Sequence, residues 1–222
     1  MNLLRKLFRK DRKMTYAIIG TGNIASGLTR TLAAKHRVLV AGRDAEKAQK
    51  LASTVKNASA VAIDEALDTA EIVFLAVPFD AVSELATRYN FDNKIVVDVT
   101  NPFKADFSGL TFGYDSSAAE KIAELLPNAH VVKALNTIFA QVYERGLNFE
   151  GRKVPAYVAA DDEAAKQKVV NALADVGFDA VDTGGLLNAR YLEPLAYLNV
   201  QFGYMLGQGT QIAPAWISRQ SA

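Results

Sequence analysis

Hydrophobic and polar positions alternate along the chain in blocks that predict strands and helices in turn. Short continuous apolar runs predict buried strands, because a strand covered on both faces needs no polar side. They cover residues 16–19, 38–40, 60–63, 71–77, 94–99, 130–135, 154–160 and 179–182. Between them, apolar residues at helical spacing predict helices at 45–55, 64–69, 81–89, 117–126, 138–145, 161–176 and 188–206. The alternation predicts an α/β fold with a doubly wound, mostly parallel sheet, extra C-terminal strands and a long C-terminal helix.

The first predicted strand leads directly into a glycine turn at residues 20–25, GTGNIA, and a helical pattern follows. Gly20 permits the tight turn out of the strand, and Gly22 lets the backbone approach a pyrophosphate closely. The small Ala25 allows the helix to pack against the strand. Strand, turn, helix and second strand together predict a Rossmann-type site for a dinucleotide, with the diphosphate at the helix N-terminus.

The residues after the second predicted strand bear on which dinucleotide binds. An NAD site carries an acid there for the ribose 2′-hydroxyl, whereas this chain has Gly42 and Arg43, with Lys47 four positions on. A guanidinium and an ammonium suit a 2′-phosphate, so we expect NADP(H). Asp44 is predicted to cap the next helix. The alternative is that Arg43 and Lys47 are solvated surface charges.

Two further predicted strands end in residues suited to the rest of the cofactor. Val77 and Pro78 close one strand and are expected to line the cleft at its carboxyl end, unless the proline only terminates the strand. Thr100 and Asn101 close the next, and short polar side chains suit a carboxamide or a ribose. They are also common turn residues. We predict that all four contact the cofactor.

The strand at residues 130–135 leads into Asn136 and Thr137, which we predict to contact a second substrate. Asn136 could equally cap the following helix. Lys133, inside that strand, is either a buried ion-pair member or a cation of the site. The unpatterned segment 103–116, rich in turn and aromatic residues, has a length typical of a functional lid.

Composition excludes several classes of site. The 222 residues contain no cysteine, so thiolate nucleophiles and thiolate metal sites are absent. The two histidines, His36 and His130, lack metal-ligand spacing, and we predict no metal. The net charge of +1 argues against nucleic acid. No stretch has the length of a membrane span or the form of a signal peptide, and we expect a cytoplasmic protein.

Both ends of the chain carry features beyond the predicted domain core. Residues 1–14 form a basic amphipathic arm with six basic residues against one acid, followed by one domain over 15–222. The arm either makes peripheral contact with a membrane or partner through residues 1–13 or is a solvated terminus.

The predicted helix 188–206 is apolar nearly all round, with Pro194 as a potential kink. It should be buried across the domain or in a homodimer interface.

With these residues in view, the chain resembles the NADPH-dependent deazaflavin-coenzyme reductase family. It is also similar to the cytosolic oxidoreductase domain of the six-transmembrane epithelial antigen metalloreductases. The similarity covers about residues 15–207 and rests on IIGTGNIASGL, AGRDAEKA, LAVPFDAV, VVDVTNPF, VVKALNTIFA, AADDEAAK and DTGGLLNARYLEPLAYL. The order and spacing of these segments make the resemblance fairly specific.

The resemblance implies hydride transfer from NADPH to a flavin-like ring held over the nicotinamide. It implies a phosphate loop that includes Thr21, Asn23 and Ile24, a 2′-phosphate site of Arg43 and Lys47, and a nicotinamide ribose bordered by Val77 and Pro78. The deazaflavin reductases carry a histidine where Asn136 stands, and KALNT is closer to the metalloreductases. The acceptor therefore stays open between deazaflavin, flavin and a quinone-like ring.

The expected cleft lacks an obvious general acid or base in the sequence, so we assign no catalytic residue. That fits flavin-type chemistry, in which the protein mainly orients two rings. One alternative is reduction of a small imine or carbonyl, for which Lys133 or Tyr114 would have to supply a proton. Another is a non-catalytic module that binds NADP as a sensor.

Overall fold

The fold is known from a computed structural model that describes residues 13–219. Residues 1–12 of the predicted basic arm lie outside that range, so the predicted membrane contact stays a prediction. Across residues 13–219, no helix is both long and apolar enough to cross a membrane.

An eight-stranded sheet forms the centre of the molecule. Its strands are β1 Thr15–Ile19, β2 Arg37–Ala41, β3 Ala58–Ala60, β4 Ile72–Leu75, β5 Ile95–Asp98, β6 His130–Ala134, β9 Pro155–Ala159 and β10 Asp179–Asp182, and a separate hairpin pairs β7 Asn148–Phe149 with β8 Arg152–Lys153. The strand order in the sheet is β10-β9-β6-β5-β4-β1-β2-β3. Strands β1 to β6 are parallel to one another, and β9 joins β6 antiparallel, with β10 parallel to β9.

Helices cover both faces of this sheet, as the predicted doubly wound fold requires. They are α1 Asn23–Ala33, α2 Ala45–Ser53, α3 Ile63–Thr69, α4 Val82–Arg88, α5 Ala118–Leu125, α6 Ala140–Arg145, α7 Glu163–Asp175 and α8 Ala189–Val200. Short 3-10 turns precede α4 (Phe79–Ala81) and α8 (Leu186–Asn188), and a π-helical turn, Gln201–Met205, follows α8.

Alternate residues of the central strands enter two separate cores. Ile18 and Phe74 pack on the side of α1, α2, α6 and α7, whereas Ile19 and Leu75 pack on the side of α3, α4 and α5. All four side chains are at most 1% exposed. This two-sided burial explains the continuous apolar runs and fixes the strand ends at one edge, where the site lies.

The structure differs from the sequence prediction most clearly at three elements. The third strand covers Ala58–Ala60 rather than 60–63, because Ile63 already begins α3 and is buried there. The β7–β8 hairpin was not predicted, since two-residue strands leave no periodic signal. The predicted helix 188–206 divides into α8 and the π-helical turn, with Pro194 inside α8.

The predicted burial of the C-terminal helix holds for only one of its faces. Leu192 and Ala196 are buried against the domain. Six large hydrophobic side chains of the same segment are exposed: Tyr191, Leu198, Phe202, Tyr204, Met205 and Leu206.

Candidate functional site

The turn after β1 requires glycine at position 20. Gly20 has a φ of +137°, and a Cβ there would lie 2.2 Å from the carbonyl oxygen of Ala76, just past β4. The Gly20 N–H donates to the carbonyl oxygen of Ala41 at 2.8 Å. The ends of β1, β2 and β4 therefore meet closely at this one residue, and any side chain would separate them.

Gly22 is the N-cap of α1, and no side chain among residues 13–219 caps this helix. An added Cβ at Gly22 would meet no atom of these residues within 4 Å, so the space above it is open. The first backbone N–H groups of a helix lack intrahelical acceptors and carry partial positive charge. Thr21, Asn23 and Ile24 lie beside this opening on the walls of two cavities. The arrangement fits a diphosphate.

The smaller cavity, about 240 Å³, lies beyond the end of β2. Gly42, Arg43 and Lys47 line it, and that the two cations hold a 2′-phosphate stays a prediction. Both side chains are more than two-thirds exposed, and Lys47 pairs with Asp44 at 3.2 Å. Asp44 caps α2 by accepting from the Lys47 backbone N–H at 3.0 Å, which lowers the pKa of its carboxyl.

Two further residues of the smaller cavity were not singled out in the sequence. Glu84 and Arg88 of α4 line it. Arg88 donates to Glu84 at 3.0 Å, and Arg43 lies 3.7 Å from the same carboxylate. No local motif marks these two residues, because only the packing of α4 beside β4 brings them to the end of β2.

The larger cleft, about 740 Å³, opens on the other side of the α1 N-terminus. It shares Gly22, Ala76, Val77 and Pro78 with the smaller cavity, so the two form one groove across the sheet edge. A groove with two lobes on either side of a helix N-terminus matches the two halves of a dinucleotide about its diphosphate.

Thr100 and Asn101 have different environments. Asn101 lines the larger cleft, whereas Thr100 is 5% exposed and lines neither lobe of the groove. The Thr100 hydroxyl has no hydrogen-bond partner within the described structure. The backbone carbonyl oxygen of Thr100 accepts a hydrogen bond from the Lys133 ammonium at 2.6 Å. Thr100 therefore supports the floor of the cleft, and any contact of its side chain with a ligand stays a prediction.

Asn136 has an unpaired acceptor beside the larger cleft. Its Nδ2 donates to Asn101 Oδ1 and to the carbonyl oxygen of Leu192, both at 3.0 Å. Asn101 Nδ2 donates back to the Asn136 carbonyl oxygen at 2.8 Å. Asn136 is 6% exposed, and its Oδ1 has no partner among residues 13–219. Thr137 lines the cleft next to it. The buried Oδ1 can accept one hydrogen bond from a ligand N–H.

The backbone just before Asn136 is strained. Leu135 is 1% exposed and has a φ of +64°, in the left-handed region that a branched side chain rarely occupies. Such a conformation costs on the order of 1–3 kcal/mol and is retained where surrounding packing imposes it. Its position between β6 and Asn136 turns the chain into the cleft wall, and no sequence pattern indicates it.

Lys133 belongs to a buried ion cluster beneath the cleft. Its ammonium lies 2.9 Å from Asp98 and 2.8 Å from Glu193, and all three side chains are at most 1% exposed. Burial alone would lower the pKa of Lys133, but the two carboxylates outweigh it and raise that pKa. Burial raises the pKa of Glu193. Lys133 is therefore the buried ion-pair member of the two predicted alternatives, and it does not line the cleft.

The segment 103–116 forms one wall of the larger cleft. It bends back on itself through a bridge between Phe103 and Leu110. The Tyr197 hydroxyl of α8 donates to the Phe107 carbonyl oxygen at 2.9 Å, which ties the segment to α8. Phe107 lines the cleft, but the exposed Tyr114 does not. Two further contacts fix the segment: the Phe112 ring packs edge-on against Phe79 at 5.4 Å, and Arg190 donates to the Tyr114 carbonyl oxygen at 3.4 Å.

Tyr204 of the π-helical turn lines the larger cleft and stacks edge-on against Phe139 at 5.5 Å. The sequence did not single it out, because a tyrosine in an apolar helical pattern is more often a packing residue.

Asp106 also lines the cleft, and a backbone hydrogen bond from Ser108 lowers the pKa of its carboxyl. Asp106 is therefore an anion at neutral pH.

Known proteins are similar to this chain in sequence and in fold. The family model described as "NADP oxidoreductase coenzyme F420-dependent" matches residues 15–102, which contain the glycine turn and every residue of the smaller cavity. The F420-dependent NADP reductase of Methanothermobacter marburgensis is 31% identical over 207 residues, covering 83% of this chain and 90% of that protein.

Two further comparisons extend the similarity. The metalloreductase STEAP2 of Homo sapiens is 28% identical over 186 residues, covering 83% of this chain and 36% of that protein. The chain therefore spans about a third of that relative's length. A crystal structure of a putative F420-dependent NADP reductase from Arthrobacter sp. FB24 matches with a TM-score of 0.78 at 25% identity, covering 89% of this chain and 96% of that one.

Proposed function

The chain belongs to the coenzyme F420-dependent NADP oxidoreductase family, and on this premise we propose that it transfers hydride between NADP(H) and a flavin-like acceptor. The predicted family, the predicted α/β fold and the NADP-dependent oxidoreductase class are confirmed by the F420-dependent NADP reductases described above. NADP(H) is accordingly the cofactor. The proposal concerns the acceptor and the residues that hold both ligands.

The cofactor lies along the whole groove in this proposal. The backbone N–H groups of residues 22–24 hold the diphosphate, because they are uncapped and Gly22 leaves space above them. Arg43 and Lys47 hold the 2′-phosphate in the smaller cavity. Val77 and Pro78, shared by both lobes, border the nicotinamide ribose. NADPH, when bound, supplies the hydride.

The acceptor ring occupies the outer part of the larger cleft. Apolar residues dominate its walls, including Val99, Ile138 and Phe139, and they exclude water from both rings. Asn136 Oδ1 accepts a hydrogen bond from an N–H of the bound ligands, since it is buried without a partner. Thr137 contacts the same ligands from the adjacent wall. These groups orient the rings and take no part in bond making.

One observation carries the proposal: the lobe lined by Asn136 and Thr137 has a volume of about 740 Å³, against about 240 Å³ for the lobe lined by Arg43. Ligand pockets for drug-sized molecules occupy roughly 300–1,000 Å³. The larger lobe thus has room for a nicotinamide and a second planar ring together, as direct hydride transfer requires.

Reduction of a small imine or carbonyl is the second candidate, and one observation favours it. Tyr204 presents a phenol to the larger cleft, and a phenol can donate the proton that such a reduction needs. Neither group named from the sequence can do so, because Lys133 is enclosed by its carboxylates and Tyr114 lies outside the cleft.

Anaerobic stopped-flow spectroscopy tests the proposed function. The protein is mixed with NADPH and then with a deazaflavin, FMN, FAD, a quinone or a cyclic imine, and loss of NADPH absorbance is followed. We expect stoichiometric oxidation with at least one tricyclic ring and none with the imine. Oxidation by the imine alone would favour the second candidate, and binding of NADPH without oxidation by any acceptor would favour a sensor.

Two further parts of the proposal concern the protein's setting. We infer a homodimer that buries the exposed apolar face of the C-terminal segment, because that face includes Leu198 and Phe202 one helical turn apart. We also infer that the protein works in the cytoplasm, as the sequence predicts.

A further inference from the structure

Glu84 is one of two carboxylates that line the smaller cavity, with Asp44. Arg43 follows β2 and Arg88 ends α4, and both line the same cavity. Glu84 lies between them, with its Oε2 3.7 Å from Arg43 Nη1 and its Oε1 3.0 Å from Arg88 Nη2. One carboxylate thus bridges two guanidinium groups that come from different elements.

The bridge is accessible to solvent and can be opened. The side chains of Arg43, Arg88 and Glu84 are 72%, 63% and 41% exposed. Exposed ion pairs of this kind contribute only about 0–1 kcal/mol each, since water screens them. A phosphoryl group carries more charge than a carboxylate and three acceptor oxygens, so it can take both guanidinium groups from Glu84.

We propose that Glu84 is a built-in competitor of the cofactor's 2′-phosphate, and that Arg88 is a third cation for that phosphate beside Arg43 and Lys47. Binding of NADPH transfers Arg43 and Arg88 from the Glu84 carboxylate to the phosphate. Glu84 then remains close to a second anion. This carboxylate therefore weakens the binding of 2′-phosphorylated nucleotides and leaves nucleotides without that phosphate nearly unaffected.

This inference rests on the proposed placement of the 2′-phosphate in the smaller cavity, but it does not depend on the acceptor. It is tested by equilibrium binding alone. The probes are 2′,5′-ADP, which carries the 2′-phosphate without the nicotinamide half, and 5′-ADP, which lacks it. The variants are Glu84→Gln and Arg88→Ala. Glu144→Gln on α6 is the control, because it makes the same change in net charge outside the groove.

Isothermal titration calorimetry at low ionic strength gives the decisive comparison. With two exposed ion pairs removed, Glu84→Gln should bind 2′,5′-ADP about three- to tenfold more tightly than the parent. The affinity of Glu84→Gln for 5′-ADP should change by less than about twofold. The affinities of Glu144→Gln for 2′,5′-ADP and for 5′-ADP should also each change by less than about twofold. Arg88→Ala should bind 2′,5′-ADP about three- to tenfold more weakly. In about 1 M salt, where the Debye length is about 3 Å, these differences should shrink.

Three results would overturn the inference. If Glu84→Gln binds 2′,5′-ADP no more tightly than the parent does, Glu84 does not compete with the 2′-phosphate. Weaker 5′-ADP binding by Glu84→Gln, with 2′,5′-ADP unaffected, assigns the carboxylate to the ribose hydroxyl instead. If the parent itself fails to bind 2′,5′-ADP, the 2′-phosphate site and the proposed function fall together, whereas the first two results leave the proposed function intact.

Discussion

At the residue scale, the hydroxyl of Tyr204 distinguishes the two candidate reactions. It is a phenol on the wall of the larger cleft, and its ring packs against Phe139. Tyr204→Phe keeps the ring and removes the proton donor. If hydride passes directly between two rings, we expect the rate with a flavin-like acceptor to stay within about threefold of the parent, since losing a general acid would cost roughly 10²–10⁴-fold.

Single-turnover stopped-flow with saturating NADPH measures that rate, and Tyr114→Phe, outside the cleft, is the matched control. A loss of a hundredfold or more in Tyr204→Phe alone, on the order expected for a general acid, would place proton transfer in the reaction and argue against two stacked rings.

Residues of the site differ in how far the sequence could predict them. Gly20, Gly22 and the Asp44 cap follow from local geometry, because a tight turn and a helix start each demand particular residue types. Arg88 and Tyr204 reach the groove only through the packing of distant elements. No local pattern separates such residues from ordinary surface or core positions.

At the element scale, α1 and α6 are packed in contact at Gly27. A Cβ on Gly27 would lie 2.6 Å from Tyr143, which is buried. Alanine for glycine inside a helix usually stabilises by about 1 kcal/mol. Here we expect Gly27→Ala to destabilise the fold by about 1–3 kcal/mol instead, because the two helices must separate.

Urea unfolding measures this change, with Gly109→Ala as the control because its added Cβ would meet no atom within 4 Å. A Gly27→Ala protein more stable than the parent would show that α1 and α6 can adjust without cost. The effect also bears on the proposed function, since the N-terminus of α1 is the proposed diphosphate site.

The C-terminal segment carries the second element-scale prediction. Its exposed Leu198 and Phe202 are proposed to lie in a homodimer interface. We expect light scattering to give the mass of two chains for the parent and of one chain for Leu198→Asp/Phe202→Asp, because burying two carboxylates in an apolar interface is unfavourable. Leu125→Asp, at another exposed apolar position, should remain dimeric. A parent protein with the mass of one chain would contradict the dimer.

Elements with a long apolar run in the sequence were predicted well, and elements with a short run were predicted poorly. The apolar runs of β4, β5 and β6 leave little ambiguity, since each is buried on both faces. The edge strand β3 has three residues with no fully buried side chain, so its pattern merges with the start of α3. The strained backbone at Leu135 could not be predicted, because it leaves no trace in the spacing of apolar residues.

At the scale of the whole molecule, the groove is a consequence of strand order. β1 lies between β4 and β2, so the ends of these three strands meet at Gly20 and divide the edge into two lobes. The sequence predicted a parallel sheet with such an edge. It could not predict that β9 and β10 run antiparallel to the rest, because pairing direction depends on contacts between distant segments.

A crystal structure with bound NADP⁺ tests the account most directly. We predict the diphosphate on the N–H groups at Gly22, the 2′-phosphate beside Arg43 and the nicotinamide ring in the lobe lined by Val77 and Asn136. Open volume should remain next to that ring for a planar acceptor. A cofactor bound elsewhere, or a nicotinamide whose reactive face is covered by the protein, would contradict the account.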